Sequence, residues 1–504
     1  MPAPVLMVVG TASSVGKSVL VTALCRIFRQ DGLRVAPFKA QNMSNNADVT
    51  PDGLEIGRAQ AEQAAAAGLE PRVEMNPVLL KPQGDRTSQL VLNGRPAGTL
   101  GSGDFLGRRK AELWPAVEAA LATLRAEHDL VVIEGAGSPA EVNLRAGDIV
   151  NMRVAMHAQA PTLLVGDIDR GGVFAHLVGT LALLEPEERA LIRGFVINRF
   201  RGDPSLLAPA IEDLEGRTGV PVLGVIPWID ALRVAQEDAV ALERPDEARR
   251  DVEDGTVVDI AVVRLPRIAN FDDFDPLIDE PGVRLRYVSR PEDLGTPQLI
   301  VLPGTKATIA DLDAMRRGGL DRAVIAAHEA GATVLGVCGG YQMLGERLID
   351  PDGVEAPAGS EVPGLGLLPL ETTFAAEKRT VRTSGSVARG AGPWAASTGA
   401  PIEGYEIHMG RTSALDDRSL APLLELESGP DGALSEDGRV AGTYVHGLLH
   451  NDELRHALLA GLGRGEAPRR AFDREREFDR LAQHVRSHLD MERVRALLGL
   501  GEGG

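Results

Sequence analysis

The sequence predicts an α/β protein of two domains, and three observations carry the prediction. Its 504 residues exceed what one ordinary domain holds. Short apolar runs alternate with stretches of helical spacing, which is the signature of a parallel sheet covered on both faces. A charged, Pro-containing stretch, Leu242–Thr256, separates two such series and reads as a linker. The expected boundaries are a first domain at 1–240, a linker at 241–256, a second α/β domain at 257–451 and a charged helical segment at 452–504.

In the first series Val5–Val9 is a buried strand running into a glycine loop. Lys17 to Gln30 then spaces Leu20, Val21, Leu24, Ile27 and Phe28 as one face of a helix. Arg34–Phe38 is a strand and Leu54–Ala67 an Ala-rich helix. Leu130–Ile133, Thr162–Val165, Phe195–Ile197 and Val222–Ile226 are further short strands. In the second series Val257–Val263, Leu299–Leu302 and Thr333–Val337 are strands, and Ile309–Glu329 is helical. The segment from Asp452 onwards reads as a solvated packing helix with no chemistry of its own.

Composition narrows the function. Apolar residues are 44%, charged residues 25%, and the formal net charge is -19. That is a soluble globular profile, and the acidic balance argues against nucleic acid or an anionic membrane as partner. No apolar run is long enough to span a bilayer. Met1 to Val9 lacks the basic flank of a secretory signal. The two cysteines, Cys25 and Cys338, form neither a disulfide framework nor a metal motif. A reducing cytoplasm is the expected location.

Two motifs carry chemistry. GTASSVGKS at Gly10–Ser18 lies between a strand and a helix. There, glycines let backbone N–H groups converge on an anion, and the helix dipole adds to them. Lys17 would reach terminal phosphates and Ser18 would hold Mg²⁺. The spacing departs from the strict phosphate-loop form: five residues separate Gly10 from Gly16, and Thr11 takes a usual glycine place. In the second series GVCGGYQMLG is a strand, a nucleophile and a helix. Flanking glycines permit a strained turn that exposes the Cys338 sulfur and aims the Gly339 N–H as an oxyanion donor. Cys25, in a helix among apolar neighbours, reads as a buried structural cysteine. A base is needed, and both His446 in GTYVHGLL and His408 in GYEIHMG are candidates on the residues alone.

The Gly-Thr, Val-Gly-Lys-Ser pattern resembles dethiobiotin synthetase and its amidating relatives. The resemblance implies ATP at the loop and phosphorylation of a carboxylate or carbamate. It also implies roles for Glu134 of IEGAGS as a Mg²⁺ ligand, Lys39 as a second phosphate lysine, Asn198 as an adenine contact and Asp48 as a further metal ligand. GVCGGYQ with the later YVHG resembles class I glutamine amidotransferase domains, which selects His446 as the partner of Cys338. VLPGTKATIADL resembles that class's second oxyanion loop, at Gly304. Most of the class carry Glu two residues after the histidine, where this chain has Leu448. The branch lacking it works with a Cys–His dyad, and that is the expectation here.

KAQNMSNNADVT, GDIDRGGVFA, NRFRGD and GYEIHMGRT join these motifs over essentially the whole chain. Together they resemble the cobyric acid synthase family. That implies ATP- and glutamine-dependent amidation of carboxylates b, d, e and g of adenosylcobyrinic acid a,c-diamide. Asp169 and Arg170, after a strand end, are expected near the substrate or phosphate. The rival readings are the synthase that makes the a,c-diamide itself, a nucleotide switch built on a related phosphate loop, and a scaffold with an inherited, inactive glutaminase domain.

Overall fold

VLMVVG at Val5–Gly10 is a strand buried along its whole length, and burial on both faces is why it shows no polar alternation. The computed structural model describes the chain apart from residues 1, 85, 102, 104–111, 231, 233–256, 279, 416–419, 466–472 and 502–504. The expected linker at 241–256 lies outside the described residues. The chain divides into two compact units: Met1–Ser44, Leu54–Asp238 and Asp473–Gly504 form one, and Asn45–Gly53 with Ala239–Phe472 form the other.

The first unit is built on a six-stranded sheet in the order Val222–Pro227, Ile192–Phe200, Thr162–Asp167, Val5–Gly10, Leu130–Glu134, Val35–Phe38. All its pairings are parallel. The central strand is followed by the Lys17–Gln30 helix, which buries Leu20, Val21, Leu24, Ile27 and Phe28 as its spacing predicts. The helix expected from Leu54 starts later, at Arg58, because Glu55–Gly57 is drawn into a short strand and Gly57 precedes the first turn in extended backbone.

The C-terminal segment does more than its charged composition suggests. Its helices Arg474–Arg486 and Met491–Leu497 belong to the first unit. Phe478, Leu481 and Val485 join Leu20, Leu24 and Phe28 in one core. Arg26 is clamped between Glu475 and Asp479, at 2.7 Å each.

The second unit has its own sheet, ordered Val283–Val288, Val258–Val263, Leu299–Leu302, Thr333–Val337, Val440–Thr443, Ala433–Leu434. The pairings are parallel except the last. The single helix expected at Ile309–Glu329 is two, Thr308–Gly318 and Leu320–Glu329, broken where Gly319 adopts φ +75°. Beside this sheet stands a long antiparallel hairpin, Leu370–Val387 with Pro401–Ala414. The segment Asn45–Gly53, early in sequence, folds here. Asn46 Oδ1 accepts the Asn270 N–H at 2.7 Å, and Asn270 Oδ1 accepts the Ala47 N–H at 2.9 Å.

Candidate active site

The phosphate loop leaves the central strand of the first sheet. Gly10 is required there, since a Cβ would lie 2.6 Å from Val15 Cγ2. Gly16 is required twice over: its φ is +97°, and a Cβ would lie 2.1 Å from Asn198 Nδ2. Asn198 donates to the Val15 carbonyl at 2.9 Å, so the residue expected to touch adenine also braces the loop. Lys17 donates to the carbonyls of Ala12 and Gly137 at 2.9 and 3.1 Å, holding its ammonium inside the loop. The Thr11 N–H donates to Val165.

Glu134 ends the neighbouring strand and is wholly buried. Its Oε1 accepts from Ser18 Oγ at 2.8 Å and Lys39 Nζ at 2.9 Å, and its Oε2 accepts from Gln63 Nε2 at 2.5 Å. Burial alone would raise its pKa. The Lys39 charge and the hydrogen bonds from Lys39, Gln63 and Ser18 outweigh burial and hold it below the usual carboxylate range. Ser18 Oγ and Glu134 thus present adjacent hard oxygens, the donor type Mg²⁺ takes together with phosphate and water. No group of three or more His, Cys, Asp or Glu side chains suited to a metal ion occurs among the described residues. Asp48 belongs to the second unit, where its Oδ1 accepts the Val49 N–H at 2.7 Å.

Asp167, the last residue of the Thr162–Asp167 strand, is held more firmly than Asp169. It is buried and takes Arg199 at 2.8 Å, while Arg170 is more than half exposed and 3.9 Å from it. Asp169 accepts from Arg201 at 3.3 Å. A cleft of about 270 Å³ opens beside the loop, lined by Thr11, Ser138, Glu141, His176, Thr180 and Leu183 among others. Neither Asp169 nor Arg170 lines it.

In the second unit Cys338 sits between Thr333–Val337 and the short helix Gly339–Leu344, at φ +51° and ψ −108°. A non-glycine residue is strained there. The surroundings enforce it: the Cys338 N–H donates to Thr443 at 2.8 Å, and a Cβ on Gly340 would lie 1.9 Å from the Leu302 carbonyl oxygen. A Cβ on Gly339 would sit 3.1 Å from the Thr305 nitrogen. A Cβ on Gly304 would sit 2.8 Å from His446 Cε1. The Gly304 and Gly339 loops and the imidazole therefore lie close together. Asp311 anchors the Gly304 loop by accepting from Thr305 Oγ1 at 2.5 Å and the Arg267 N–H at 3.0 Å.

His446 is buried, and its ring stacks on Tyr405 at 5.3 Å between centroids. Its Nδ1 lies 2.7 Å from Asp273 Oδ2. Burial would lower its pKa, but the charges of Asp273 and Cys338 and hydrogen bonds to both push it up to about 10. His408 has other duties: Nδ1 bonds the Gly410 carbonyl at 2.8 Å and Nε2 bonds Glu406 at 3.2 Å. Beyond the Cys–His pair that the resemblance implies, a carboxylate faces His446. It stands 173 residues earlier in the chain, outside the local pattern that Leu448 breaks. Leu448 itself is core. The signal available in sequence was the acid-rich FDDFDPL after a strand.

Comparison with known proteins finds a match for each half of the chain. Residues 6–241 match the CobQ/CobB/MinD/ParA nucleotide binding domain, and residues 259–454 match the CobB/CobQ-like glutamine amidotransferase domain. Fold and sites define a glutamine amidotransferase joined to a nucleotide-binding domain. The chain is 56% identical to cobyric acid synthase of Roseiflexus castenholzii, over 99% of this chain and 100% of that one. It is 54% identical to cobyric acid synthase of Chloroflexus aurantiacus over 97% of this chain and 98% of that one. It is 50% identical to cobyric acid synthase of Dehalococcoides mccartyi (strain CBDB1) over 99% of each. The chain belongs to the cobyric acid synthase family and is an amidotransferase of the ligase type. No helix among the described residues is long and apolar enough to cross a membrane.

Proposed function

We propose that this chain amidates carboxylates b, d, e and g of adenosylcobyrinic acid a,c-diamide, each with one ATP and one glutamine, in the cytoplasm. The observation that carries the reading is Cys338, held at positive φ on a strand end with His446 and two glycine loops around it. Neither a nucleotide switch nor an inert scaffold needs such a strained, imidazole-paired thiol.

A carboxylate resists attack because the incoming electron pair must add to a group already negative. Phosphorylation solves this: a carboxylate oxygen attacks the γ-phosphorus of ATP, ADP leaves, and the acyl carbon gains a phosphate leaving group. Lys17 and Lys39 balance the phosphoryl charge, with the loop N–H groups cradling the oxygens. Mg²⁺ held by Ser18 and Glu134 would offset the remaining phosphate charge. Asn198 keeps the loop in shape beneath the nucleotide.

Nitrogen comes from the second unit. The Cys338 thiolate attacks the side-chain amide carbon of glutamine, and the oxyanion faces the backbone at Gly339 and the Gly304 loop. The C–N bond then breaks and ammonia leaves with a proton from His446. Water, deprotonated by His446, cleaves the thioester to give glutamate and free thiol. Neutral ammonia attacks the acyl phosphate, phosphate leaves, and the nitrogen sheds a proton. The 270 Å³ cleft beside the loop suits one acidic side arm of the corrinoid, and Asp169 and Arg170, which do not line it, would meet the substrate outside it.

The test is glutamine hydrolysis by wild type and Cys338→Ala. Hydrolysis by wild type that the substitution abolishes supports the reading, and absence of hydrolysis in wild type would return the switch or scaffold to favour.

A further inference from the structure

We infer that Asp273 is the positioning residue of the glutaminase, completing a Cys338–His446–Asp273 array with an acid from the opposite end of the unit's sequence. The inference rests on the reading of Cys338 and His446 as nucleophile and base. Its geometric basis is independent of that reading. Asp273 Oδ2 lies 2.7 Å from His446 Nδ1, and Asp273 Oδ1 accepts the Gly447 N–H at 2.8 Å. One carboxylate therefore grips both the ring and the backbone that carries it. With Nδ1 committed to Asp273, Nε2 is the nitrogen left for the thiol. The carboxylate fixes the tautomer and stabilises the imidazolium that forms when the thiol ionises.

The acid is itself held rigidly. It lies in the turn Phe271–Leu277, entered by Asn270 in left-handed backbone at φ +51°. Asn46 and Ala47 bond both the N–H and the side chain of Asn270. Tyr287 Oη donates to the Phe271 carbonyl at 3.3 Å, and His450 Nε2 bonds the Asp272 carbonyl at 2.9 Å. Three consecutive residues before Asp273 are thus pinned, and both Asp273 and His446 are almost fully buried. A surface turn needs no such fixing, whereas a group orienting an imidazole does. Tyr405 stacks on the ring, the Gly304 loop lies against its Cε1, and the thiol is a further partner.

Asp273→Asn separates positioning from mere structure. The amide oxygen can still accept from Gly447, while the carboxylate charge is lost and the amide N–H₂ favours the wrong imidazole tautomer. We expect kcat for glutamine hydrolysis to fall about 10³- to 10⁴-fold, with KM within about threefold of wild type. Alkylation of Cys338 by iodoacetamide, followed against pH, should show thiolate formation moved to higher pH. Asp273→Glu should recover part of kcat, and formate should partly rescue Asp273→Ala. A cooperatively unfolding Asp273→Asn protein with kcat within about tenfold of wild type and an unmoved alkylation profile overturns the inference. If Asp273→Asn does not unfold cooperatively, Asp273→Glu and formate rescue decide, and failure of both overturns it. Cys338→Ala, run in parallel, keeps the failures apart: persistent glutamine hydrolysis there would sink the nucleophile assignment instead.

Discussion

Lys39 Nζ lies 2.9 Å from Glu134 Oε1, and neither side chain is more than marginally exposed. The pair closes the phosphate loop of the first unit through Ser18, which donates to the same oxygen. Removing one member of a buried pair strands the other charge away from water. Lys39→Met should therefore cost about 3–5 kcal/mol of stability in the first unit. Adding Glu134→Leu should restore much of that stability without restoring turnover, whichever nitrogen source is supplied. Denaturant unfolding of the single and double variants checks the first statement, and ammonium-driven amidation checks the second.

The raised pKa of His446 makes a pH prediction. Its ordinary value is 6.5 and its folded value about 10, so the folded state binds the proton more tightly. The resulting stability is fully present below about pH 6.5 and is lost as pH rises through about 10. Unfolding free energy of wild type should decline across that window. The decline should flatten in Asp273→Asn, because the charge that raises the pKa is gone. An identical slope in both proteins would contradict the prediction.

The elbow around Cys338 should be intolerant of a single methyl group. In Gly340→Ala the new Cβ would meet a backbone oxygen at 1.9 Å, and a backbone atom cannot rotate aside. A loss of about 2–3 kcal/mol is expected, together with displacement of the thiol and slower glutamine hydrolysis. Thermal unfolding and the hydrolysis rate check it.

Phe478→Ala should destabilise the first unit by about 3–5 kcal/mol, the usual cost of emptying a buried aromatic site. Phe478 is fully buried against the Lys17–Gln30 helix. Glutamine hydrolysis in the second unit should change little. Denaturation followed by a probe in each unit distinguishes the outcomes, and equal loss in both would contradict the prediction.

Much of this was legible because both sites are local motifs. Gly10–Ser18 and the GVCGGYQ turn each place glycine, reactive residue and strand end within a few positions, where hydrophobic runs and turn chemistry speak directly. What the sequence hid is non-local. Asp273 meets His446 only because the parallel strands Val258–Val263 and Val440–Thr443, separated in the sheet by Leu299–Leu302 and Thr333–Val337, carry their following loops to the same edge. The long hairpin Leu370–Val387 with Pro401–Ala414 leaves little trace in the sequence because much of it is only half-buried, so its apolar alternation is weak. The C-terminal helices misled by their charge: Arg474–Arg486 buries only Phe478, Leu481, Ala482 and Val485, a narrow stripe that sufficed.

The most direct measurement is mass spectrometry of cobyrinic acid a,c-diamide incubated with ATP, Mg²⁺ and glutamine carrying ¹⁵N in its amide. Wild type should convert four carboxyls to labelled amides. Cys338→Ala should convert none with glutamine but all four with ammonium, and Lys17→Ala none with either. Labelled amides appearing with Cys338→Ala, or no amides with wild type, would contradict the coupling of thiol and phosphate loop.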